Sequence, residues 1–533
     1  MKTRIARNGI IGTSVAFAAA IALSFGGPPQ PKNGPPSGTA RWSPHVELSS
    51  AGTRSARGLK VDANTAGDFV AAWVVNSADD IAAVIRNANS AAGAPQVFEG
   101  DYDQPDVAIG GGSVGVLAWE SKSTSDNVYA ASKAGTATLF SSPQTFTGDG
   151  HAVPSAPPSA QDPVVAVNSF GTGMLFFERD YFTPPSYSTL AEAVEGRILL
   201  DAATNTWNAG VDLHTNPRSP GSTEVSVAAD GSVFYGSNGF EQGPCYYLHG
   251  MVLENDGGGS IGSVGVFAGS CAGALNGVYP SNARLPNGDV VMAFHQHTGV
   301  GVYVLDITKS RALSNSTASM LPDAVRVDNA NNTEDGLRPR VRTDAGGNAV
   351  VVWYDTSGTQ SMLARFRPAG TAIWGPVEVI SSGENYQPDF DFDMDAAGNG
   401  YLVYERSDGP TQEIVGAERT PGAAGIWTVP EVLSGGLSPV KEPQVVAGTN
   451  GHAFAAWIAG GADEVRMSVI SPPKTVNPPS DAAAINAAAI SKLSREIKKL
   501  KKKIKKAKKS GNTSKAKKLK QKFKKLKKEL KSL

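Results

Sequence analysis

Residues 338–355 read Arg-Pro-Arg-Val-Arg-Thr-Asp-Ala-Gly-Gly-Asn-Ala-Val-Val-Val-Trp-Tyr-Asp, and this stretch decides the fold. Pro339 opens a strand, where its missing N–H costs little. Asp344 to Asn348 form a hairpin turn: the aspartate bonds local backbone and glycine supplies a positive φ. The run Ala349 to Trp353 is apolar without alternation, as expected of a strand covered on both faces. A third strand is expected over Met362 to Arg367 and a fourth over Ile373 to Ile380.

The unit recurs eight times. A turn glycine, or a stand-in, is followed six residues later by a large residue in the pairs Gly67/Trp73, Ser113/Trp119, Gly171/Phe177, Gly231/Ser237, Gly288/Phe294, Gly347/Trp353, Gly398/Tyr404 and Gly451/Trp457. A proline stands eight residues before the turn in five units, at Pro105, Pro163, Pro280, Pro339 and Pro443. Successive ring positions lie 46, 58, 60, 57, 59, 51 and 53 residues apart, the size of a four-stranded β-propeller blade. The fold class is therefore all-β, an eight-bladed β-propeller over residues 41–471. Seven blades are the alternative if the fourth unit, which lacks its ring at Ser237, is an irregular insertion. The fourth-strand form of Trp374-Gly-Pro-Val-Glu-Val-Ile-Ser and Trp427-Thr-Val-Pro-Glu-Val-Leu-Ser is missing after the eighth unit's third strand, Glu464 to Ile470. It reappears ahead of the first unit as Trp42-Ser-Pro-His-Val-Glu-Leu-Ser49. That N-terminal strand is expected to complete the last blade and remove its open edge.

The overall charge of zero conceals two halves. Residues 481–533 hold 21 basic and three acidic residues, and the remainder 28 basic and 46 acidic, so a tail of +18 is joined to a body of −18. In the tail, Ile490, Leu493, Ile497, Leu500 and Ile504 form one heptad seam and Leu519, Phe523, Leu526, Leu530 and Leu533 another. Ser510-Gly-Asn-Thr-Ser514 between them reads as a stop and a new N-cap, giving a lysine-rich α-helical hairpin or coiled coil. Its diffuse lysine charge suits an anionic envelope polymer or phospholipid better than base reading in nucleic acid. Self-association through the coiled coil, or folding onto the acidic propeller, are the other options.

Residues 1–25 carry Lys2, Arg4 and Arg7 before an apolar run from Ile10 to Phe25, the layout of an export signal or of an uncleaved anchor. Residues 26–40 and 472–480 are proline-rich linkers. The two cysteines, Cys245 and Cys271, flank expected antiparallel third and fourth strands of the fourth unit, which suits a disulfide in an exported chain. A secreted, envelope-associated protein is the expected setting.

These repeats resemble secreted bacterial β-propellers of the sialidase-like type with BNR-type repeats, over roughly residues 42–470. That resemblance implies a sialidase-like glycoside hydrolase or a non-catalytic relative. The catalytic signature departs from the family's: Arg57-Gly-Leu59 lacks the proline of the Arg-Ile-Pro motif, and Arg284-Leu-Pro286 stands in another part of its unit. The Ser-x-Asp-x-Gly-x-x-Trp box is absent.

Propeller ligands bind at one end of the channel, on loops joining second to third strands and fourth to first strands. The residue after the repeated ring is expected to enter the first of those loops. Glu120, Glu178, Asp355 and Glu405 are the candidate catalytic carboxylates, suited to acid/base hydrolysis of a glycan. Tyr102, Arg179, His295, Arg338, Tyr386 and Arg406 are candidate ligand contacts. The bland reading makes them inter-blade hydrogen-bond partners. Asp389, Asp391 and Asp393 alternate with Phe390, Phe392 and Met394 on a strand and could attract Ca²⁺, the one cofactor considered. Two functions follow: a binding module for glycan or protein, held at the envelope by its tail, or a glycoside hydrolase.

Overall fold

The computed structural model describes residues 42–470, apart from 50–55, 76–78, 89, 123–126, 148–159, 183–189, 217–219, 229–230, 241–245, 254–276, 297–300, 309–323, 329–337, 356–359, 384, 409–410, 449–450 and 462; in the tail it describes Leu519, Gln521 and Phe523, all helical. The export signal, both linkers, Cys245, Cys271 and the rest of the expected hairpin lie outside the described residues.

The described chain is all-β in the body, folded into eight successive antiparallel sheets, six of them four-stranded. In the sixth, Arg340–Thr343, Ala349–Asp355, Ser361–Arg367 and Glu378–Ser382 pair in chain order. The first strand of every sheet lies against the first strand of the next, and that of the eighth against that of the first. This cyclic order is the arrangement of a β-propeller. The third sheet has a fifth strand, Val211–Asn216, beside Leu190–Asp201, and three strands of the fourth are described.

The repeated turn is built as its residues dictate. All seven turn glycines have φ between +81° and +89°, and Ser113, the stand-in, has +58°. Asp344 accepts the N–H groups of Gly346 and Asn348, each at 2.9 Å. Asn64, Asn168 and Asp395 repeat the device in their own turns. Each described ring residue is buried: Trp73, Trp119, Phe177, Phe294, Trp353, Tyr404 and Trp457 are at most 1 % exposed. They fill the space between sheets, which is why their strands carry no polar alternation.

The ends of the chain meet as the repeat requires. Val46 pairs with Met467 and Glu47 with Arg466, on the free side of the eighth sheet's third strand. Trp42 bridges Ile470 and packs with Tyr401, Leu433 and Trp457. The fourth strands are shorter than the sequence suggests: pairing runs over Val46–Glu47, Glu378–Ser382 and Glu431–Val432. Each begins only after a proline, Pro44, Pro376 or Pro430, which cannot donate to the ladder.

Trp42 is the anchor of this closure, 5 % exposed on a strand otherwise only two residues long. Trp42→Ala should cost about 3–5 kcal/mol in urea unfolding. A loss below about 1 kcal/mol would show that the ring does not depend on its N-terminal strand.

Candidate functional site

The first strands line the ring, and seven of the eight carry a bulge near their starts, at one rim. In five, a bulge residue is left-handed: Gly58, Gln104, Asp162, Tyr279 and Glu442, with φ from +47° to +63°. Four of these immediately precede the recurring proline, so Pro105, Pro163, Pro280 and Pro443 sit inside bulges, whereas Pro339 stands just ahead of its strand. A bulge turns the strand and presents the residue before the proline to the rim. The recurring proline marks these strand starts in the sequence, but nothing there marks the residue before it, such as Tyr279 or Glu442, as left-handed.

Beneath the rim, side chains of one first strand accept backbone N–H groups of the next. Asp62 accepts from Ile109 at 2.7 Å, Asp106 from Val165 at 2.8 Å and Glu224 from Asn282 at 2.8 Å. Asp391 accepts from Val445 at 3.0 Å, Asp393 from Ala447 at 2.8 Å, and Glu442 from Leu59 at 2.9 Å. Phe390, Phe392 and Met394 point the other way into a buried cluster, as their alternation implies.

The aspartates considered for Ca²⁺ each meet an arginine of the sixth sheet. Arg338 lies 3.1 Å from Asp389, Arg340 3.6 Å from Asp391 and Arg342 3.2 Å from Asp393. Arg342 also reaches Glu224 at 2.9 Å. Burial opposes its charge, but Glu224, Asp393 and Asp391 outweigh that and raise its proton affinity. Among the described residues no cluster of three or more potential metal ligands occurs.

The residues after the repeated rings lie within second strands and not in loops, because the ring is mid-strand and the strand continues two to five residues past it. Glu120 accepts the N–H of Asp162 in the next sheet at 2.8 Å. Glu178, His295 and Asp355 are buried in Gly173–Phe182, Val290–Gln296 and Ala349–Asp355. Arg179 faces Glu195 at 3.4 Å, and Arg406 gives two 2.9 Å contacts to Glu413 across its hairpin. Tyr102 packs edge-on against Trp119 and Tyr129. The backbone of Tyr386 pairs with Arg406; its side chain is outside the described residues.

Besides Lys441, 3.0 Å from Asp463, two groups of charged side chains remain at the rim. In the first, Arg57 lies 2.6 Å from Asp79 and 3.5 Å from Asp103, and Lys122 2.8 Å and 3.3 Å from the same pair. Hydrogen bonds from Arg57 and Lys122 hold the Asp79 carboxyl down at about 2. Arg57, the counterpart of the sialidase-motif arginine, is thus already counter-charged. In the second, Arg338 and Asp389 join Tyr279, whose ring centroid is 5.1 Å from the guanidinium carbon. Glu405, 4 % exposed, stands opposite the bulge that holds Asp389, and burial, then the Asp389 charge, push its carboxyl up to about 7. The structure therefore brings Arg338, Asp389 and Glu405 together with Tyr279, and leaves Glu178 four sheets away.

No family model matches this chain, and no curated protein matches it. Among solved structures it is similar to a Hadza microbial sialidase, at 10 % identity over 77 % of this chain and 74 % of that one, with a TM-score of 0.38. It is similar to a lectin from Burkholderia pseudomallei, at 11 % identity over 72 % and 99 %, with a TM-score of 0.44. An ulvan lyase of a polysaccharide lyase family matches at 11 % identity over 67 % and 90 %, with a TM-score of 0.40. Likeness at this level assigns no residue of this chain a role.

The raised carboxyls set the sign of a pH effect. Burial also lifts Asp62 to about 7, against the N–H groups of Ile109 and Ala63 that favour its ionised form. Both groups hold protons in the folded state that the unfolded chain has released, so their contribution is full below about pH 4 and lost as pH rises to about 7. For Glu405 the loss is about 1–3 kcal/mol. Urea midpoints of the wild type should fall between pH 4.5 and 7.5, and Glu405→Gln should reduce that fall. An unchanged slope in the variant would place the titrating group elsewhere.

Proposed function

We propose that this chain is an exported eight-bladed β-propeller that binds glycan at the bulged rim of its channel and is held to an anionic envelope polymer or phospholipid by its basic tail. The eight sheets with first strands in cyclic order support the blade count. The export signal, the helical hairpin and the envelope attachment rest on the sequence of residues 1–25 and 481–533 and on the +18 charge of the latter.

The observation that carries binding over catalysis is the fate of the carboxylates. Glu120 accepts a backbone N–H of the adjoining sheet, and Asp62, Asp106, Glu224, Asp391 and Asp393 do the same along the channel. Retaining and inverting glycosidases need two carboxyls about 5–10 Å apart across a cleft. Glu178 and Glu405 are on the third and seventh sheets, half a ring apart. What the rim offers is an aromatic ring beside a charged pair, the material of a binding surface.

One feature favours the hydrolase reading: Glu405, with a carboxyl near 7 beside Asp389, has the protonation a general acid requires. A panel of labelled polysaccharides separates the two. The binding module retards a glycan in affinity electrophoresis without shortening it, and Glu405→Gln leaves the retardation intact. Chain shortening by the wild type that falls at least a hundredfold in Glu405→Gln would establish the hydrolase instead.

A further inference from the structure

We infer that Tyr279, Arg338 and Asp389 form a subsite for one ring of a neutral, hydroxyl-rich saccharide; this deepens the glycan-binding proposal and rests on it. Tyr279 is the only aromatic among the described left-handed rim residues, at φ +52°. That conformation suits glycine, and a bulky side chain held there is strained. At two of the corresponding positions the residue joins neighbouring sheets: Asp162 donates its N–H to Glu120, and Glu442 accepts from Leu59. Tyr279 instead puts a ring at the rim that is 39 % exposed.

Its neighbours are equally open. The Arg338 and Asp389 side chains are 41 % and 42 % exposed, whereas Arg340 with Asp391, one step down the same pair of strands, is 30 % and 13 %. The lower steps tie the sixth and seventh sheets together. The uppermost step adds a screened surface ion pair, which contributes little to stability. Three side chains from the fifth, sixth and seventh sheets thus meet in solvent, with the guanidinium against the ring.

The chemistry selects the ligand. An aromatic face accepts the C–H face of a pyranose, and guanidinium donors beside carboxylate acceptors match adjacent hydroxyls, each of which both gives and takes a hydrogen bond. An acidic sugar is disfavoured, because Arg338 already has its counter-charge and the body outside the tail carries −18.

The test uses the full chain on immobilised mannan, galactan and amylose, with alginate as the acidic comparison. Tyr279→Gly removes the ring and fits the positive φ, so the fold is kept, which thermal unfolding checks. Tyr279→Phe keeps the ring, and Arg338→Leu removes the donors without touching the tyrosine. The wild type should be held by at least one neutral polysaccharide, with affinity reduced about tenfold or more in Tyr279→Gly and Arg338→Leu and within about twofold in Tyr279→Phe. Equal retention of the wild type and both disabling variants would overturn the subsite while leaving glycan binding intact. Retention by alginate alone would overturn the neutral ligand, and retention by none of the four would overturn both proposals.

Discussion

Every first strand in this ring has one edge paired and one edge facing the channel. An unpaired edge of N–H groups is costly if buried and a docking hazard if exposed. Here the neighbouring sheet supplies the acceptors: carboxylates of Asp62, Asp106, Glu224, Asp391, Asp393 and Glu442 each take a backbone N–H of the following first strand. Between the fifth and sixth sheets the hydroxyl of Ser281 does the same for Val341. A carboxyl acceptor spares a buried N–H the cost of going unbonded. The circular order of the sheets is therefore held from inside the channel as well as by the strand that closes the eighth sheet.

The same constraint occupies much of the acidity of the body. Glu120 also joins neighbouring sheets, and burial in these junctions raises the proton affinity of Asp62, Asp106 and Asp393. The sixth and seventh sheets solve the problem differently. Arg340 and Arg342 face Asp391 and Asp393, so a run of aspartates with the look of a cation site is neutralised by protein. At the rim, above these ties, Tyr279, Arg338 and Asp389 stand open to solvent. The proposed saccharide subsite lies there, at the start of the first strands.

Most of the architecture was legible in the sequence because it rests on local rules. The spacing from Gly347 to Trp353 marks a left-handed turn and a buried ring, and Trp42 to Ser49 carries the form of the strand missing from the last unit. Strand lengths were less legible, since Pro376 and Pro430 delay pairing within runs that otherwise look extended. The site was read only in part. Arg338, Asp389 and Glu405 were singled out separately, but their meeting depends on which sheets adjoin, and no local pattern in the sequence encodes that. Glu178 follows its ring just as Glu405 does, yet it is buried on the third sheet, four sheets from that rim group, whereas His295 pairs with Val278, beside Tyr279. Tyr279 was hidden because nothing in the sequence marks a residue before proline as left-handed.

Amide hydrogen exchange at the channel edge tests the central interaction most directly. In the wild type, the amides of Ile109, Val165 and Ala447 should be protected as strongly as amides paired within a sheet, and Asp62→Ala should release Ile109 while Val165 and Ala447 stay protected. Fast exchange of these three amides in the wild type, or an Ile109 amide indifferent to Asp62→Ala, would contradict a ring held together by carboxylates between neighbouring first strands.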